Sequence, residues 1–597
     1  MSLLKFAGIV AASLIVLAAC SSDSKPSGSL ALERSPQEST VRAVEQGDVI
    51  GTFGAEQSLA WYGVPFAQAP IGDLRWRAPR LAAPWKGRYE ATRPDKRCTQ
   101  YAPPYEPEHE DWSFLGEEDC LYLNIWAPAD QSKEPLPVMV WIHGGAGVWG
   151  HAGQYEMGQF ANRTNTIVVA INYRLAMMGW FAHPAIAETA ETDLDRSANF
   201  AILDQIAALE WIQRNIEVFG GDNENITVFG QSAGGFHISA LLSSPLSEGL
   251  FHKAIIQSGG FNSLALEDLA NSNDVPGTTP QEFLQALEKQ HPDFAPHDGS
   301  ELSLANALRD LPAELIFEIY KAMPKEREMP GLIDPVGSVS DGISIPDIGV
   351  RGALTSGRLK DIPLMIGTTR DEIKGMSFFD RDLVGSLFGV VFWPKNKNVY
   401  EAVSYYPDTA WAGYGVREPA EVWEATYTSP AFTYRFDWDE QGKAFTTDIG
   451  FLVGASHASE IAFVIDGFDQ PVTDYMGVSW KKHNAPGRKA LSSKMISYWG
   501  AFAHNGSPGK GMEGDLPDWK AVAPGDTSLM LLDSDKDGGV RMAEPVPTAT
   551  ELFDQFLADT RLKSMEQRCK SALPLLEVVG TVGGDIESWT RFADENC

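Results

Sequence analysis

A serine at the centre of a Gly-x-Ser-x-Gly turn is the residue of this sequence best placed for covalent chemistry. Ser232 lies in residues 230–234, directly after the β-branched run 226–229 and directly before a helical stretch over residues 236–242. A strand–turn–helix context forces such a serine into a sharp bend, and its glycines are needed because neighbouring chain passes too close for side chains. Free N–H groups at the helix N-terminus favour an oxyanion nearby. The pattern predicts a serine nucleophile, and a structural glycine-rich turn is the alternative.

The elements that must position this turn alternate between buried strands and amphipathic helices. Short apolar runs, typical of strands buried on both faces, occupy residues 138–142, 167–171, 226–229, 254–256 and 362–366. Between two of these runs, Ile202, Ile206, Leu209 and Ile212 recur at helical spacing. Strand–helix–strand order predicts an α/β fold with a mostly parallel sheet flanked by helices. Because no repeat or linker interrupts the chain after residue 45, we expect one large domain over residues 46–560 and a C-terminal extension over residues 561–597.

Motifs in a fixed order resemble the type-B carboxylesterase family, which is the carboxylesterase, cholinesterase and lipase group of the α/β-hydrolases. The densest match is the nucleophile region, residues 199–234. The other matching segments are residues 62–67, 74–79, 118–124, 454–463 and 498–508. A series of motifs in the family's order is far more specific than any one of them. The resemblance implies an α/β-hydrolase fold and hydrolysis of carboxylic esters.

The resemblance also implies the partners of Ser232. A serine hydroxyl needs a base within hydrogen-bond reach and a carboxylate that orients this base, and in this fold the chain order is Ser, acid, His. The family's acid falls on Glu372, just after the predicted strand 362–366, with its neighbour Asp371 as the rival. Of eleven histidines, His457 matches the family's catalytic histidine.

By the same resemblance, the backbone N–H groups of Gly145, Ala146 and Ala233 form the oxyanion hole. The usual family run is His-Gly-Gly-Gly-Phe, whereas residues 143–147 read His-Gly-Gly-Ala-Gly. Ala146 keeps an N–H group, but its Cβ restricts the backbone if a positive φ is required. We expect His143 to brace this loop. The histidines at positions 183, 237 and 252 are expected to be structural.

Charge and composition narrow the range of partners. The chain of 597 residues holds 48 Lys and Arg against 80 Asp and Glu, a net charge of −32, which repels the phosphate backbone of nucleic acids and anionic membrane surfaces. With 44% hydrophobic and 21% charged residues, the composition is that of a soluble globular protein and not of a disordered or multi-span membrane chain. The charge therefore argues against nucleic acid as a partner. The family resemblance implies a small-molecule ester as substrate, and we expect no cofactor or metal. The oligomeric state stays open.

The N-terminus predicts export with a lipid anchor. Lys5 precedes an apolar run that is slightly short for a membrane span, as in a signal peptide over residues 1–19. Residues 17–20 resemble the bacterial lipobox, which implies acylation of Cys20, and an ordinary secretory signal is the alternative. Ser21 resembles the outer-membrane sorting pattern. Residues 20–45 are predicted to be a flexible tether. The lipobox and Ser21 together predict a location at the outer membrane or periplasmic side of a Gram-negative envelope.

Four cysteines remain after the lipobox. They are Cys98, Cys120, Cys569 and Cys597, and an exported protein can join them in two disulfides with three possible connectivities. The most local pairing joins Cys98 to Cys120 and Cys569 to Cys597, and the resemblance supports the first pair. Free thiols or a bridge between chains are the alternatives for the second.

Three further segments invite a functional interpretation. Residues 376–393 are too apolar for an ordinary surface loop, and they either line an acyl or alcohol pocket or pack in the core. Trp112, in the acidic stretch between Cys98 and Cys120, does not align with the tryptophan that cholinesterases use, so cholinesterase activity is not supported. Residues 533–544 fit the spacing of an EF-hand loop, but Pro545 and Pro547 block the exit helix and favour a polar hairpin turn.

The sequence therefore predicts an exported serine carboxylesterase. A lipase or polyester hydrolase of the same fold is the nearer alternative, since one sequence does not reveal a mobile apolar lid. A non-catalytic adhesion protein of the same family is the other, and such a protein would normally lack one of the residues that match Ser232, Glu372 and His457.

Overall fold

The computed structural model describes residues 34–94, 96–102, 113–130, 134–271, 279–294, 299–323, 338–388, 391–474 and 479–597. The predicted signal peptide, the lipidation site Cys20 and the loop tryptophan Trp112 lie outside these residues. The chain forms two compact units. The first unit comprises Gly28–Ala254 and Asn262–Lys360, and the second comprises Ile255–Phe261 and Asp361–Cys597. Among the described residues, no helix combines the length and apolar character that a bilayer crossing requires.

The strands and helices of the described residues are numbered in chain order. The strands are β1 (Arg42–Val44), β2 (Gly47–Ile50), β3 (Thr52–Phe53), β4 (Leu59–Pro65), β5 (Arg88–Glu90), β6 (Gln100–Tyr101), β7 (Phe114–Leu115), β8 (Tyr122–Ala127), β9 (Leu136–Ile142), β10 (Ile167–Ile171), β11 (Gly221–Gln231), β12 (Lys253–Gln257), β13 (Leu264–Ala265), β14 (Val339–Ser340), β15 (Leu364–Thr369), β16 (Val384–Leu387), β17 (Val391–Pro394), β18 (Ala431–Phe436), β19 (Lys443–Ala444), β20 (Thr447–Asp448), β21 (Leu529–Leu532) and β22 (Arg541–Ala543). The α-helices are α1 (Gly158–Thr164), α2 (Ala176–Gly179), α3 (Pro184–Glu188), α4 (Phe200–Asn215), α5 (Ala233–Ser243), α6 (Leu266–Asn271), α7 (Pro280–Gln290), α8 (Glu301–Arg309), α9 (Ala313–Ala322), α10 (Gly349–Thr355), α11 (Lys374–Ser377), α12 (Lys397–Ala410), α13 (Glu418–Thr426), α14 (Ile449–Val453), α15 (Ile461–Ile465), α16 (Ala485–Asn505), α17 (Ala549–Ala558), α18 (Met565–Val582) and α19 (Glu587–Asn596).

A twisted sheet with a parallel centre organises the first unit. Its strands follow the order β11-β9-β10-β8-β4-β3, in which β9 pairs in parallel with both β10 and β11, while β8 and β4 continue the sheet antiparallel. Val140 of β9 is opposite Val169 on one side and Val228 on the other. Every residue of β9 and β10 is buried, as strands covered on both faces require. Helix α4 is the predicted crossover helix.

The second unit has its own set of parallel strands. Strands β15, β18 and β21 pair in parallel, and β22 returns antiparallel beside β21. This last hairpin contains the segment 533–544, so the structure confirms the hairpin interpretation over the EF-hand. The central strands end at the same edge of the sheet, because parallel strands run in one direction. Glu372 follows β15 at that edge.

The boundary of the predicted tether at residue 45 is wrong. Residues of the segment 37–45 are folded: β1 pairs with β2, and Thr40 is fully buried. The indole of Trp61 donates to the carbonyl of Thr40 at 2.7 Å, and the Thr40 hydroxyl accepts from the N–H of Gly51 at 2.8 Å. The composition of residues 37–45 did not predict that they are folded, because the segment contributes hydrogen-bonding groups and few apolar side chains.

The C-terminal extension is a folded helical pair in the second unit. Helix α18 packs against α12, and Leu575 and Val579 on α18 are completely buried. The structure joins Cys569 to Cys597, which ties α18 to the end of α19, and in the first unit it joins Cys98 to Cys120.

The apolar segment 376–393 divides between core and surface. Leu383 and Phe392 are buried, whereas Leu387 and Phe388 are 51% and 90% exposed. The expectation that the segment is too apolar for the surface is therefore wrong for Leu387 and Phe388. A sequence alone gives the average tendency of a phenylalanine to be buried and not its place at a turn.

Candidate active site

The Ser232 turn of the first unit has the strand–turn–helix geometry that the sequence predicted. Strand β11 ends at Gln231, helix α5 begins at Ala233, and Ser232 between them has φ +56° and ψ −124°. A non-glycine residue with positive φ is uncommon and marks a sharply bent backbone. A Cβ at Gly230 would lie 2.6 Å from the carbonyl oxygen of Ile142, and one at Gly234 would collide with the same oxygen. The two glycines therefore let the turn approach β9, and Ser232 stays partly exposed.

The loop after β9 packs directly against this turn. A Cβ at Gly144 would lie 2.7 Å from the Gln231 carbonyl oxygen and 3.2 Å from the Ser232 Cβ. Gly145, Ala146 and Gly147 have φ values of +107°, +55° and +70°. This run of left-handed residues turns successive amides in a new direction, as in the backbone nests that bind anions. In the described part of the chain, the N–H groups of Gly145, Ala146 and Ala233 have no acceptor.

His143 braces this loop as a neutral side chain. It is buried, its ring stacks on Tyr173 at 4.3 Å between centroids, and its Nδ1 donates to the carbonyl of Gly144 at 2.9 Å. The hydroxyl of Tyr173 donates to the carbonyl of His143 at 2.6 Å. Burial lowers the pKa of His143 to about 4, so the imidazole is uncharged at neutral pH.

The other three histidines that were expected to be structural also have structural partners. His237 is buried in α5 beside the Gln205 amide at 2.8 Å, and burial lowers its pKa to about 3. His183 accepts the N–H of Ala185 at 3.1 Å and so caps α3, and His252 accepts the N–H of Ile226 at 3.1 Å. In none of these contacts is the partner of the imidazole a carboxylate, as a catalytic histidine would require.

A buried carboxylate and a histidine form a close pair in the second unit. Oε2 of Glu372 lies 2.5 Å from Nδ1 of His457, and the Glu372 side chain is fully buried while that of His457 is 25% exposed. Oε1 of Glu372 accepts from the hydroxyl of Ser258 at 2.6 Å and from the N–H of Thr369 at 2.7 Å, and the Thr368 hydroxyl also donates to it. With both of its oxygens held, the carboxylate fixes the histidine ring with Nε2 pointing away.

The electrostatics of this pair favour an ionised carboxylate. Burial alone would raise the pKa of Glu372, but the charge of His457 and the hydrogen bonds from His457 and Ser258 outweigh it, and the pKa is lowered. Burial alone would lower the pKa of His457, but the charge and hydrogen bond of Glu372 raise it above 6.5. The pair can therefore stabilise an imidazolium when the histidine accepts a proton.

The alternative acid, Asp371, binds neighbouring cations and a backbone N–H group. Its carboxylate binds the guanidinium of Arg370 at 2.7 Å, the ammonium of Lys374 at 3.2 Å and the N–H of Ala455 at 2.9 Å. These contacts join the acid loop after β15 to the segment that carries His457. Asp371 thus holds the loop, and it is Glu372 that reaches the histidine.

Two neighbours of the Glu372–His457 pair, Glu460 and Trp411, are not singled out by the motifs of the sequence analysis. Glu460 is fully buried one turn after His457, its Oε1 accepts from the Gln257 amide at 3.3 Å, and burial and the charge of Glu372 raise its pKa to about 7. Trp411 opens a π-helical turn after Pro407, and its ring lies 5.4 Å from that of His457. Glu460 was noticed only as part of a matching motif. Trp411 could have been suspected from Pro407, since proline inside a helix disturbs its hydrogen bonds.

The described residues contain no group of three His, Cys, Asp or Glu side chains suited to a metal ion. The Ser232 turn and the loop 143–147 belong to the first unit, and the Glu372–His457 pair belongs to the second.

Solved structures of known proteins have the same fold as this chain. The strand arrangement and the serine turn define the chain as an α/β-hydrolase, and two solved structures have the same fold. A PNB esterase structure matches with a TM-score of 0.66 and 27% identity, over 86% of this chain and 99% of that one. The carboxylesterase structure from Geobacillus stearothermophilus at pH 6.2 matches with a TM-score of 0.63 and 27% identity, over 84% and 97%.

Sequence comparisons identify the family within the α/β-hydrolases. A model of the carboxylesterase family matches residues 38–387 and 394–550. The para-nitrobenzyl esterase of Bacillus subtilis (strain 168) is 32% identical over 511 residues, which cover 80% of this chain and 91% of that protein. The fumonisin B1 esterase of Sphingopyxis macrogoltabida is 31% identical over 510 residues, covering 80% and 84%. The chain therefore belongs to the carboxylesterase family, and it is a carboxylic ester hydrolase.

Proposed function

We propose that the chain hydrolyses small carboxylic esters through an acyl-enzyme on Ser232. The Ser232 hydroxyl attacks the ester carbonyl while Nε2 of His457 accepts its proton, and Glu372 stabilises the imidazolium. The tetrahedral intermediate collapses, the C–O bond to the alcohol breaks, and His457 returns its proton to the leaving alkoxide. Water, deprotonated by the same nitrogen, then attacks the acyl group and releases the carboxylic acid and free Ser232.

We assign the oxyanion hole to the N–H groups of Gly145, Ala146 and Ala233. Amide donors of this kind are most useful where charge develops, because they are already oriented when the reaction begins. Their lack of an acceptor in the described part of the chain and the left-handed turn at Ala146 support this assignment. The observation that carries the whole proposal is the buried, fully hydrogen-bonded Glu372 at 2.5 Å from His457, in a family member whose serine has the bent backbone of a nucleophile.

The first experiment compares hydrolysis of short- and long-chain aryl esters by the wild-type chain and by Ser232→Ala. We expect the variant to lose at least about 10⁴-fold in kcat without a change in unfolding temperature. A preference for short acyl chains supports an esterase, and a preference for long, insoluble esters supports a lipase instead. Full activity in Ser232→Ala would contradict the serine mechanism.

A second experiment tests the acid and the base together. Since only neutral His457 accepts a proton, kcat/KM falls as the pH drops through the pKa of His457, and we expect this midpoint above pH 6.5. Glu372→Gln removes the charge that raises this pKa, so its midpoint shifts to lower pH and kcat falls by about 10³–10⁴-fold. Asp371→Asn is the matched control. A larger loss of kcat in Asp371→Asn than in Glu372→Gln would contradict the assignment of the acid to Glu372.

We also propose that the protein is exported and held at a Gram-negative envelope by a lipid on Cys20, with Ser21 favouring the outer membrane. The lipobox-like residues 17–20 support this, and two disulfides suit an oxidising compartment. Mass spectrometry of the membrane-extracted protein should show an acylated N-terminal cysteine. A high-salt wash should release the unacylated variant Cys20→Ser from the membrane fraction and leave the wild type bound, and an unmodified Cys20 in the wild type would contradict the anchor.

A further inference from the structure

Two neighbouring hairpins of the second unit present large apolar side chains to solvent. The β16–β17 and β19–β20 hairpins are joined by a hydrogen bond of 2.8 Å from the N–H of Phe392 to the hydroxyl of Thr447. This bond brings strand β17 next to strand β20. The exposed fractions are 90% for Phe388, 67% for Phe445, 51% for Leu387 and 45% for Trp393.

Four basic residues lie in or beside these two hairpins. The guanidinium of Arg381 reaches the hydroxyl of Ser386 at 3.0 Å, two residues before Phe388. Lys443 comes two residues before Phe445 in the second hairpin. Lys395 directly follows β17, and Lys397 is the first residue of helix α12. We name this surface the hairpin patch, and it consists of Leu387, Phe388, Trp393, Phe445, Arg381, Lys395, Lys397 and Lys443.

The cations of the hairpin patch lack close ion pairs, although the charge of Lys395 adds to the hydrogen bond and charge of Lys570 in lowering the pKa of Asp382. In the described residues none of the four forms an ion pair with a carboxylate: Lys395 donates to the carbonyl of Arg381, and the ammonium of Lys397 lies over the ring of Phe451. Nearby carboxylates are engaged elsewhere. Asp380 and Asp382 bind Lys570, and Asp448, opposite Lys443, caps helix α14.

This arrangement is unusual for the chain that carries it. The protein has 32 more acidic than basic residues, yet four cations without an ion pair lie in or beside the two hairpins that carry Phe388, the most exposed phenylalanine of the described residues. The family model leaves residues 388–393 unmatched, and these include Phe388 and Trp393.

We propose that the hairpin patch docks on the surface of an anionic phospholipid bilayer. Apolar rings that enter the boundary between headgroups and acyl chains, with cations at the level of the phosphates, are the features by which proteins bind to a membrane interface. The indole of Trp393 suits the same depth, since it is apolar with one polar N–H. The inference does not depend on ester hydrolysis, and it adds to the proposed anchor a contact that orients the protein.

The experiment measures co-sedimentation with vesicles of phosphatidylcholine alone and of phosphatidylcholine mixed with phosphatidylglycerol. The chain starting at Ser21 is used, since it lacks the proposed acyl site and keeps every residue that the structure describes. We expect binding to the anionic vesicles that weakens with salt. Phe388→Ser with Phe445→Ser should weaken binding at least about tenfold, and each of Lys395→Gln, Lys397→Gln and Lys443→Gln by about fivefold.

Controls separate docking from other causes. Leu302→Ser, at a residue 59% exposed and next to Glu301, should bind like the wild type, and so should Ser232→Ala, which separates this test from that of the esterase mechanism. Each variant must keep its unfolding temperature. Equal binding to neutral and anionic vesicles, no binding at all, or self-association that the double phenylalanine variant abolishes in light scattering would each overturn the proposal.

Discussion

At the scale of single residues, Glu460 should make stability depend on pH. Burial and the charge of Glu372 raise its pKa from 4.5 to about 7, so the folded state holds a proton that the unfolded state has already released. Stability from this group is therefore complete at low pH and is lost as the pH rises from about 4.5 to about 7, by about 3 kcal/mol in all.

The variant Glu460→Gln has no such proton. We expect it to exceed the wild type in free energy of unfolding at about pH 8 and to lose this advantage at about pH 4. Urea unfolding of both proteins across this range measures the difference. A difference that is constant with pH would mean that the pKa of Glu460 is the same in the folded and unfolded states.

Ala146 is a second residue whose backbone determines an outcome. Its φ of +55° costs an alanine about 1 kcal/mol relative to glycine, so Ala146→Gly should stabilise the protein by up to that amount. Ala240→Gly is the matched control, because the same change inside helix α5 should destabilise by about 1 kcal/mol. Thermal unfolding compares the two, and equal destabilisation would show that Ala146 does not need the left-handed conformation in solution.

At the scale of elements, helix α12 supports the acid loop through one buried carboxyl. Oδ1 of Asp408 accepts the N–H of Ile373, the residue after Glu372, at 2.5 Å. Burial and the charge of Asp371 raise the pKa of Asp408 well above its ordinary value, which favours the neutral form of this carboxyl in the folded state. The hydrogen bond, and not the charge, should then matter for stability.

Two substitutions at Asp408 separate these contributions. Asp408→Asn keeps an acceptor oxygen and should equal or exceed the wild type in stability at about pH 8, since the unfolded wild type gains by ionising there. Asp408→Ala leaves the N–H of Ile373 unpaired and a cavity beside it, at a cost of about 2–4 kcal/mol. Denaturant unfolding distinguishes them, and an asparagine variant as unstable as the alanine variant would show that the charge is needed.

The elements also show what the sequence could and could not predict. Strands β9 and β10 and the Ser232 turn were predictable, because β-branched runs and the glycine pattern are local properties. The sequence did not separate Asp371 from Glu372 without the family resemblance, because their difference comes from tertiary neighbours: Arg370 and Lys374 for one, His457 for the other. The exposure of Phe388 and the burial of Thr40 likewise depend on where a turn lies in the assembled fold.

At the scale of the whole molecule, the charge distribution sets both stability and partners. The net charge of −32 produces repulsion in the compact state that the expanded unfolded chain partly relieves. The four unpaired cations of the hairpin patch are a local exception to this field. An anionic bilayer is therefore repelled by most of the surface and attracted at one place, which would favour a single orientation of docking.

The same net charge predicts how salt affects unfolding. Raising NaCl from about 10 mM to about 300 mM shortens the screening length from about 30 Å to about 6 Å, so repulsion among distant carboxylates fades while paired, buried groups such as Glu372 and His457 are screened less. We expect the unfolding temperature to rise by a few degrees. Choline chloride at equal ionic strength should give the same rise, because screening does not depend on the cation. A rise with NaCl alone would indicate specific binding of sodium, and a fall would mean that attractive surface ion pairs outweigh the net repulsion.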